Sequence, residues 1–185
     1  MISKKEKYKR HAEYKRNKTA EFAKYLIEIK NKPCVDCGKL WPHPAMEFDH
    51  LPGTDKKFKI GQAGTRSKNA IKIELEKCEL VCSNCHRIRT KARKKSPRRA
   101  TKLVDYIVSL KQNKQCTDCK YSYPYECLQF DHLTPKNKLF NLAIPPAWAT
   151  KEDIDKEIAK CEIVCNCCHN IRTFKYEDNF TSKRS

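Results

Sequence analysis

The sequence predicts an α+β fold made of two tandem copies of one small module. Three observations predict it. The stretch 76–90, Glu-Lys-Cys-Glu-Leu-Val-Cys-Ser-Asn-Cys-His-Arg-Ile-Arg-Thr, returns at 159–173 as Ala-Lys-Cys-Glu-Ile-Val-Cys-Asn-Cys-Cys-His-Asn-Ile-Arg-Thr. Each copy runs from a strand-like segment (79–81, 162–164) into a Cys-x-x-Cys, then a His and a basic segment that can be helical. Upstream of each lie a second Cys-x-x-Cys (Cys34/Cys37, Cys116/Cys119) and a Phe-Asp-His (48–50, 130–132), in step at a spacing of 82 residues. A fixed internal period of this kind marks a repeated structural unit.

Composition sets bounds on what the modules can be. A chain of 185 residues suits one or two small domains, and 39% hydrophobic residues limit apolar burial. Modules of that size usually need a staple. Lys and Arg number 40 against 22 Asp and Glu, a formal net charge of +18. Such an excess, joined to site motifs, points to nucleic acid through counterion release. Charge alone does not separate DNA from RNA or an anionic membrane. The N-terminus has no apolar core of a signal peptide, and no run of 18 apolar residues occurs. The expectation is a cytoplasmic or nucleoid-associated protein, not secreted, with no membrane partner. In that setting the 12 cysteines point to metal more than to disulfides.

In chain order, residues 1–19 form a basic arm, read either as a disordered or helical solvated lead-in or as a phosphate-contacting arm. Module one spans 20–93. It opens with an amphipathic helix over 20–31, carrying Phe22, Leu26 and Ile29, echoed over 101–112 by Leu103, Tyr106, Ile107 and Leu110. The segments 45–49 and 127–131 alternate apolar and polar residues, as a half-buried strand does. Cys127 stands where the first copy has Ala45 and reads as a small core residue. A long basic loop follows each Asp-His, and a loop that long is more often functional than idle. Short helices are expected over 68–77 and 151–160, with Ser67 and Thr150 as N-caps and Asp153 completing a capping box. Cys78 and Cys161 fall on the buried stripes of these helices and read as core thiols. Residues 94–100 form a basic linker, 101–178 module two, and 179–185 a tail.

The paired Cys-x-x-Cys turns are the strongest signal. In module one 44 residues separate Cys37 from Cys82, and in module two 45 separate Cys119 from Cys165. Two residues between cysteines let both thiolates of a turn face one ion. Two such turns supply the closed S4 set of a structural zinc. The candidate ligands are Cys34, Cys37, Cys82 and Cys85, then Cys116, Cys119, Cys165 and Cys168: two structural Zn2+ per chain. Buried or disulfide-bonded cysteines are the competing reading. Cys167 matches Asn84 in the repeat and reads as a spectator.

Four of the six histidines, His50, His86, His132 and His169, stand in the repeated Asp-His and Cys-His positions. Phosphodiester hydrolysis needs a base for water and a cation for the charge on phosphate. A neutral imidazole suits the first task, and a carboxylate with an imidazole suits a divalent ion.

Phe48-Asp49-His50 with the segment 74–86, and Phe130-Asp131-His132 with the segment 157–169, resemble the HNH endonuclease family with its ββα-metal fold, in the branch stapled by paired Cys-x-x-Cys turns. The resemblance covers most of both modules. It implies that His50 and His132 are general bases. It implies that Asp49 with His86, and Asp131 with His169, hold a catalytic Mg2+ or Mn2+. It also implies a hairpin pairing the Met46 strand with the Leu80 strand, and a following helix whose Arg87, Arg89 and Arg93, or Arg172 and Lys175, contact DNA. The chain departs from the family at one place: Lys77 and Lys160 stand where a loop-bracing Asn is usual. The expected function is a metal-dependent DNA endonuclease, a monomeric pseudo-dimer. The alternative is a non-catalytic zinc-containing protein that binds DNA or RNA.

Overall fold

The computed structural model describes residues 3–93 and 101–182, and for 177–182 the backbone alone. The linker 94–100 and the last three residues of the tail lie outside the described residues. The chain is a mixed α+β structure. Six α-helices and two small antiparallel sheets are present among the described residues. It divides into two compact units, Met1–Cys82 and Ser83–Ser185.

The first unit holds α1 (Lys4–Ile29), β1 (Met46–His50), α2 (Lys68–Leu75) and β2 (Cys78–Cys82). The basic arm is helical and continuous with the predicted helix. Ser3 caps it by accepting from the Glu6 N–H at 3.2 Å. Lys, Arg, Glu and Ala dominate residues 4–19 and favour helix without any apolar stripe, so periodicity alone did not reveal it. Phe22 is the one buried residue of α1. It packs with Ile60, Ala63 and Ile71, while Leu26, Phe48, Phe58, Leu75 and Cys78 close the cluster. Ile60 and Ala63 come from the long loop, so that loop is anchored in the core. Gly64 passes close to α1: a Cβ there would stand 3.4 Å from Thr19.

β1 and β2 pair antiparallel with Met46 opposite Cys82, Phe48 opposite Leu80 and His50 opposite Cys78. This is the hairpin that the sequence led us to expect. Its register places Asp49 and His50 at the end of β1 from which the long loop leaves.

The second unit holds α3 (Ser83–Ala92), α4 (Lys102–Ser109), β3 (Leu128–His132), α5 (Lys151–Ile158), β4 (Cys161–Cys165) and α6 (Asn166–Ser182). β3 and β4 repeat the register, Leu128 opposite Cys165 and His132 opposite Cys161. Ile107, Leu142, Ala149 and Ile154 form the core, with Leu103, Tyr106, Phe130, Phe140, Ile158 and Cys161 against it. Again the loop contributes, here Phe140, Leu142 and Ala149. Cys127 is fully buried, as its match to Ala45 implied. α3 packs on this unit. Asn84 Oδ1 accepts from the Cys167 N–H at 3.3 Å, and Asn170 Nδ2 donates to Ser83 Oγ at 2.8 Å. α6 runs to Ser182, into the stretch read as tail.

Both expected N-caps form, and at α5 the full capping box closes between Thr150 and Asp153. Thr150→Ala removes it. The expected cost is about 1 kcal/mol, read as a fall of roughly 4–8 °C in the calorimetric Tm of a unit this small. An unchanged Tm would mean that tertiary packing alone sets the start of α5.

Candidate functional site

Each Cys-x-x-Cys pair converges on its partner pair. The Sγ atoms of Cys34, Cys37, Cys82 and Cys85 lie within 4.8 Å of one another, as do those of Cys116, Cys119, Cys165 and Cys168. Cys37 and Cys82 sulfurs are 3.9 Å apart, and Cys119 and Cys165 sulfurs 4.0 Å. A disulfide would need about 2.0 Å. Thiolates at the corners of a zinc tetrahedron stand about 3.8 Å apart, given Zn–S bonds near 2.3 Å. The donor set therefore fits a structural metal ion such as zinc, and all 12 cysteines are free of disulfides.

The knuckles are shaped for this task. Cys34 N–H bonds the Lys39 carbonyl and Gly38 N–H bonds the Cys34 carbonyl, a tight turn with Gly38 at φ +67°. Lys120 fills the same place in the second knuckle at φ +60°. The Cys82 N–H donates to Cys34 Sγ, and the Cys165 N–H to Cys116 Sγ, each at 3.2 Å. Such donors favour thiolate over thiol. A hydrogen bond from the Cys167 side chain also holds Cys165 well below the ordinary thiol range. Cys78, Cys127, Cys161 and Cys167 stay outside both sets. Cys78 and Cys161 donate to the Glu74 and Glu157 carbonyls at 3.3 Å, and burial pushes both thiols up to about 11.

The second module brings its Asp-His and Cys-His motifs together. His169 Nε2 lies 3.4 Å from Asp131 Oδ1. The other ring nitrogen, Nδ1, is buried without a hydrogen-bond partner. Arg172, one helical turn beyond His169, turns its guanidinium inward. It donates to Asp131 Oδ2 at 3.1 Å, Glu162 Oε2 at 2.6 Å and Asp118 Oδ2 at 2.8 Å. In sequence register the same residue types recur as Asp36, Asp49, Glu79, His86 and Arg89. Asp49 is buried on β1 and lies opposite Glu79 in the hairpin, and His86 is carried by α3.

His50 and His132 share one environment. His50 Nε2 lies 2.8 Å from Glu74 Oε1, and His132 Nε2 lies 2.7 Å from Glu157 Oε1. Lys77 and Lys160 pair the second carboxylate oxygens at 2.8 and 2.7 Å. The same oxygens that face the histidines accept from the loop backbone: Lys57 N–H at 2.8 Å, Leu139 N–H at 2.9 Å. Each lysine also reaches a loop carbonyl, Asp55 at 2.9 Å and Asn137 at 3.3 Å. So the lysines that replace the expected Asn brace the loop themselves. The Lys77 ammonium, aided by His50 and the loop N–H groups, holds Glu74 down to about 2. Burial works against Glu157, yet Lys160, the Leu139 N–H and His132 bring it to about 2 as well.

No family model, curated protein or solved structure matches the chain. The functional reading therefore rests on the site. Among the described residues no helix is long and apolar enough to cross a membrane. Of the cations expected to contact DNA, Arg87, Arg93 and Lys175 are exposed, Arg89 is half-buried and Arg172 is committed to carboxylates. Arg87 also donates to the Glu126 carbonyl at 3.3 Å. Sequence reasoning assigned no role to Glu74, Glu157, Asp118 or Glu162. A signal for the first two was present: a Glu recurring in register beside the apolar stripe of α2 and α5.

Proposed function

We propose that the chain is a metal-dependent endonuclease of the HNH kind, hydrolysing DNA phosphodiester bonds with one site in each module. The observation that carries the reading is the approach of His169 to Asp131 beside His132, on a frame stapled by four cysteines. Two ligands on adjacent corners of a Mg2+ octahedron stand about 3 Å apart. The 3.4 Å between Asp131 and His169 needs little adjustment to fit. Asp131 and His169 would hold the ion, as Asp49 and His86 would in the first module. A bound divalent ion supplies stabilisation of the charge that builds on phosphate and the leaving oxygen. His132 and His50 take the proton from the attacking water. Arg172 fixes the second oxygen of Asp131 and so limits how that carboxylate turns. Ions held by the four cysteines of each set would have no open position and would play no part in the chemistry. The exposed cationic face of α1 supports a polyanionic substrate, since eight Lys and Arg lie within residues 4–19.

One observation favours a second reading, a zinc-containing protein that binds DNA or RNA without cutting it. Arg172 already neutralises Asp131, which such a protein would need no metal to do. Supercoiled plasmid incubated with Mg2+ or Mn2+ separates the two. The endonuclease cleaves only with added divalent ion, and Asp131→Ala slows the second site about 100-fold or more at unchanged zinc content. Retention of plasmid without cleavage across several divalent ions, indifferent to Asp131→Ala, would leave the binder.

A further inference from the structure

Two buried carboxylates ask for an explanation that the stapled frame does not supply. Glu74 and Glu157 are 1% and 0% exposed. Burying an ionised carboxylate is costly unless its oxygens are filled with donors. Both are filled in the same way, by a histidine, a loop N–H and a lysine. The loops they hold match at two of four positions here: Lys56-Lys-Phe-Lys in one and Lys138-Leu-Phe-Asn in the other. An apolar residue on α2 and α5 would pack more cheaply, so the trio does more than fill space: it ties down the loop and it acts on the histidine.

We infer that Glu74 and Glu157 are positioning residues for the hydrolytic reaction, each fixing its histidine in the Nε2–H form so that Nδ1 carries the lone pair that meets water. The inference rests on reading His50 and His132 as bases. Its chemistry is short. An ionised carboxylate accepts hydrogen bonds and has no proton to give, so the hydrogen in the Glu–His contact sits on Nε2. Neutral imidazole carries a single N–H, which leaves Nδ1 bare. When Nδ1 takes a proton from water, the hydroxide forms the new P–O bond as the P–O bond to the leaving strand breaks, the leaving oxygen takes a proton from solvent, and the carboxylate faces the charge now on the ring. The lysine keeps the carboxylate from rotating, because it bonds the second oxygen and a loop carbonyl at once. Ring orientation and loop position are thus set through one oxygen atom, Oε1.

Long-range 15N–1H correlation on the zinc-loaded wild-type chain reads the tautomer directly and needs no variant to fold. Neutral His50 and His132 should both show Nε2–H. An Nδ1–H signature in either would overturn the inference. Glu157→Gln, made with His50→Ala so that only the second site acts, should lose the pure Nε2–H signature. Its kcat for nicking should fall roughly 10–100-fold with little change in KM. Wild-type cleavage that Glu157→Gln leaves intact overturns this inference alone. Nε2–H in a wild type that cleaves nothing with any divalent ion overturns the hydrolytic reading, and the positioning role with it.

Discussion

Replacing Cys165 with Ser will remove one of two bound zinc ions and unfold the second module. The reasoning is a comparison of magnitudes. Binding of a structural zinc contributes about 10–16 kcal/mol of apparent folding free energy in small modules. Whole domains are stable by only about 5–15 kcal/mol. Among the described residues the main apolar cluster of the second unit has four buried members, Ile107, Leu142, Ala149 and Ile154, and its hairpin adds Leu128 and Val164. A core that small cannot hold the hairpin, the knuckle and α6 in register after the ion has gone. Metal analysis should give two zincs per wild-type chain and one for Cys165→Ser, with loss of the second module's thermal transition and of helical circular dichroism. Strong chelation of the wild type should have the same effect on both modules. Cys167→Ala is the control. Its sulfur lies beside the tetrathiolate set but outside it, so zinc content should remain two. Full zinc occupancy and an unchanged Tm in Cys165→Ser would show that the four sulfurs are merely packed together.

Much of this arrangement was legible because it was written twice. The hairpin strands, the caps at Ser67 and Thr150, the core thiols Cys78, Cys127 and Cys161, and both tetrathiolate sets follow from residues that recur in step. What recurrence cannot show is direction. Arg172 sits in a basic segment and reads as a surface cation, yet it faces Asp118, Asp131 and Glu162, because helix α6 returns it to the mouth of the sheet. Only the tertiary fold brings Asp118 of the knuckle beside Asp131 of β3. Glu74 and Glu157 were hidden for a related reason. A glutamate on a short polar helix is ordinarily solvated, and what buries these two is the long loop folding back over them. That loop looked like a basic appendage, but Ile60 and Ala63, or Leu142 and Ala149, pin it to the core. The start of α1 was left open between helical and disordered because helix propensity without an apolar stripe leaves no periodic trace.

His132→Ala should convert double-strand cutting into nicking, and His50→Ala should do the same. Loss of a general base costs roughly 100- to 10,000-fold at the affected site, enough to let the intact site finish first. Supercoiled plasmid should then accumulate as open circle with either single variant, become linear with the wild type, and stay supercoiled with the double variant. The two histidines should matter equally to the chemical step, since their contacts to Glu74 and Glu157 differ by only 0.1 Å (2.8 against 2.7 Å). The modules should differ in grip. α3 exposes Arg87 and Arg93, with Lys91 paired to Glu126 at 3.3 Å, whereas the matching stretch of α6 has Asn170 and Phe174 and is followed by Glu177 and Asp178 in the sequence. The chain left with only its second site, His50→Ala, should therefore show the higher KM and the shallower dependence of that KM on salt, at a similar kcat. Complete linearisation by both single variants would refute one strand per site and leave a single centre making both cuts in turn. Nicking by one variant and full linearisation by the other would make the dispensable module a docking domain, and the salt dependence of the pair would identify which it is.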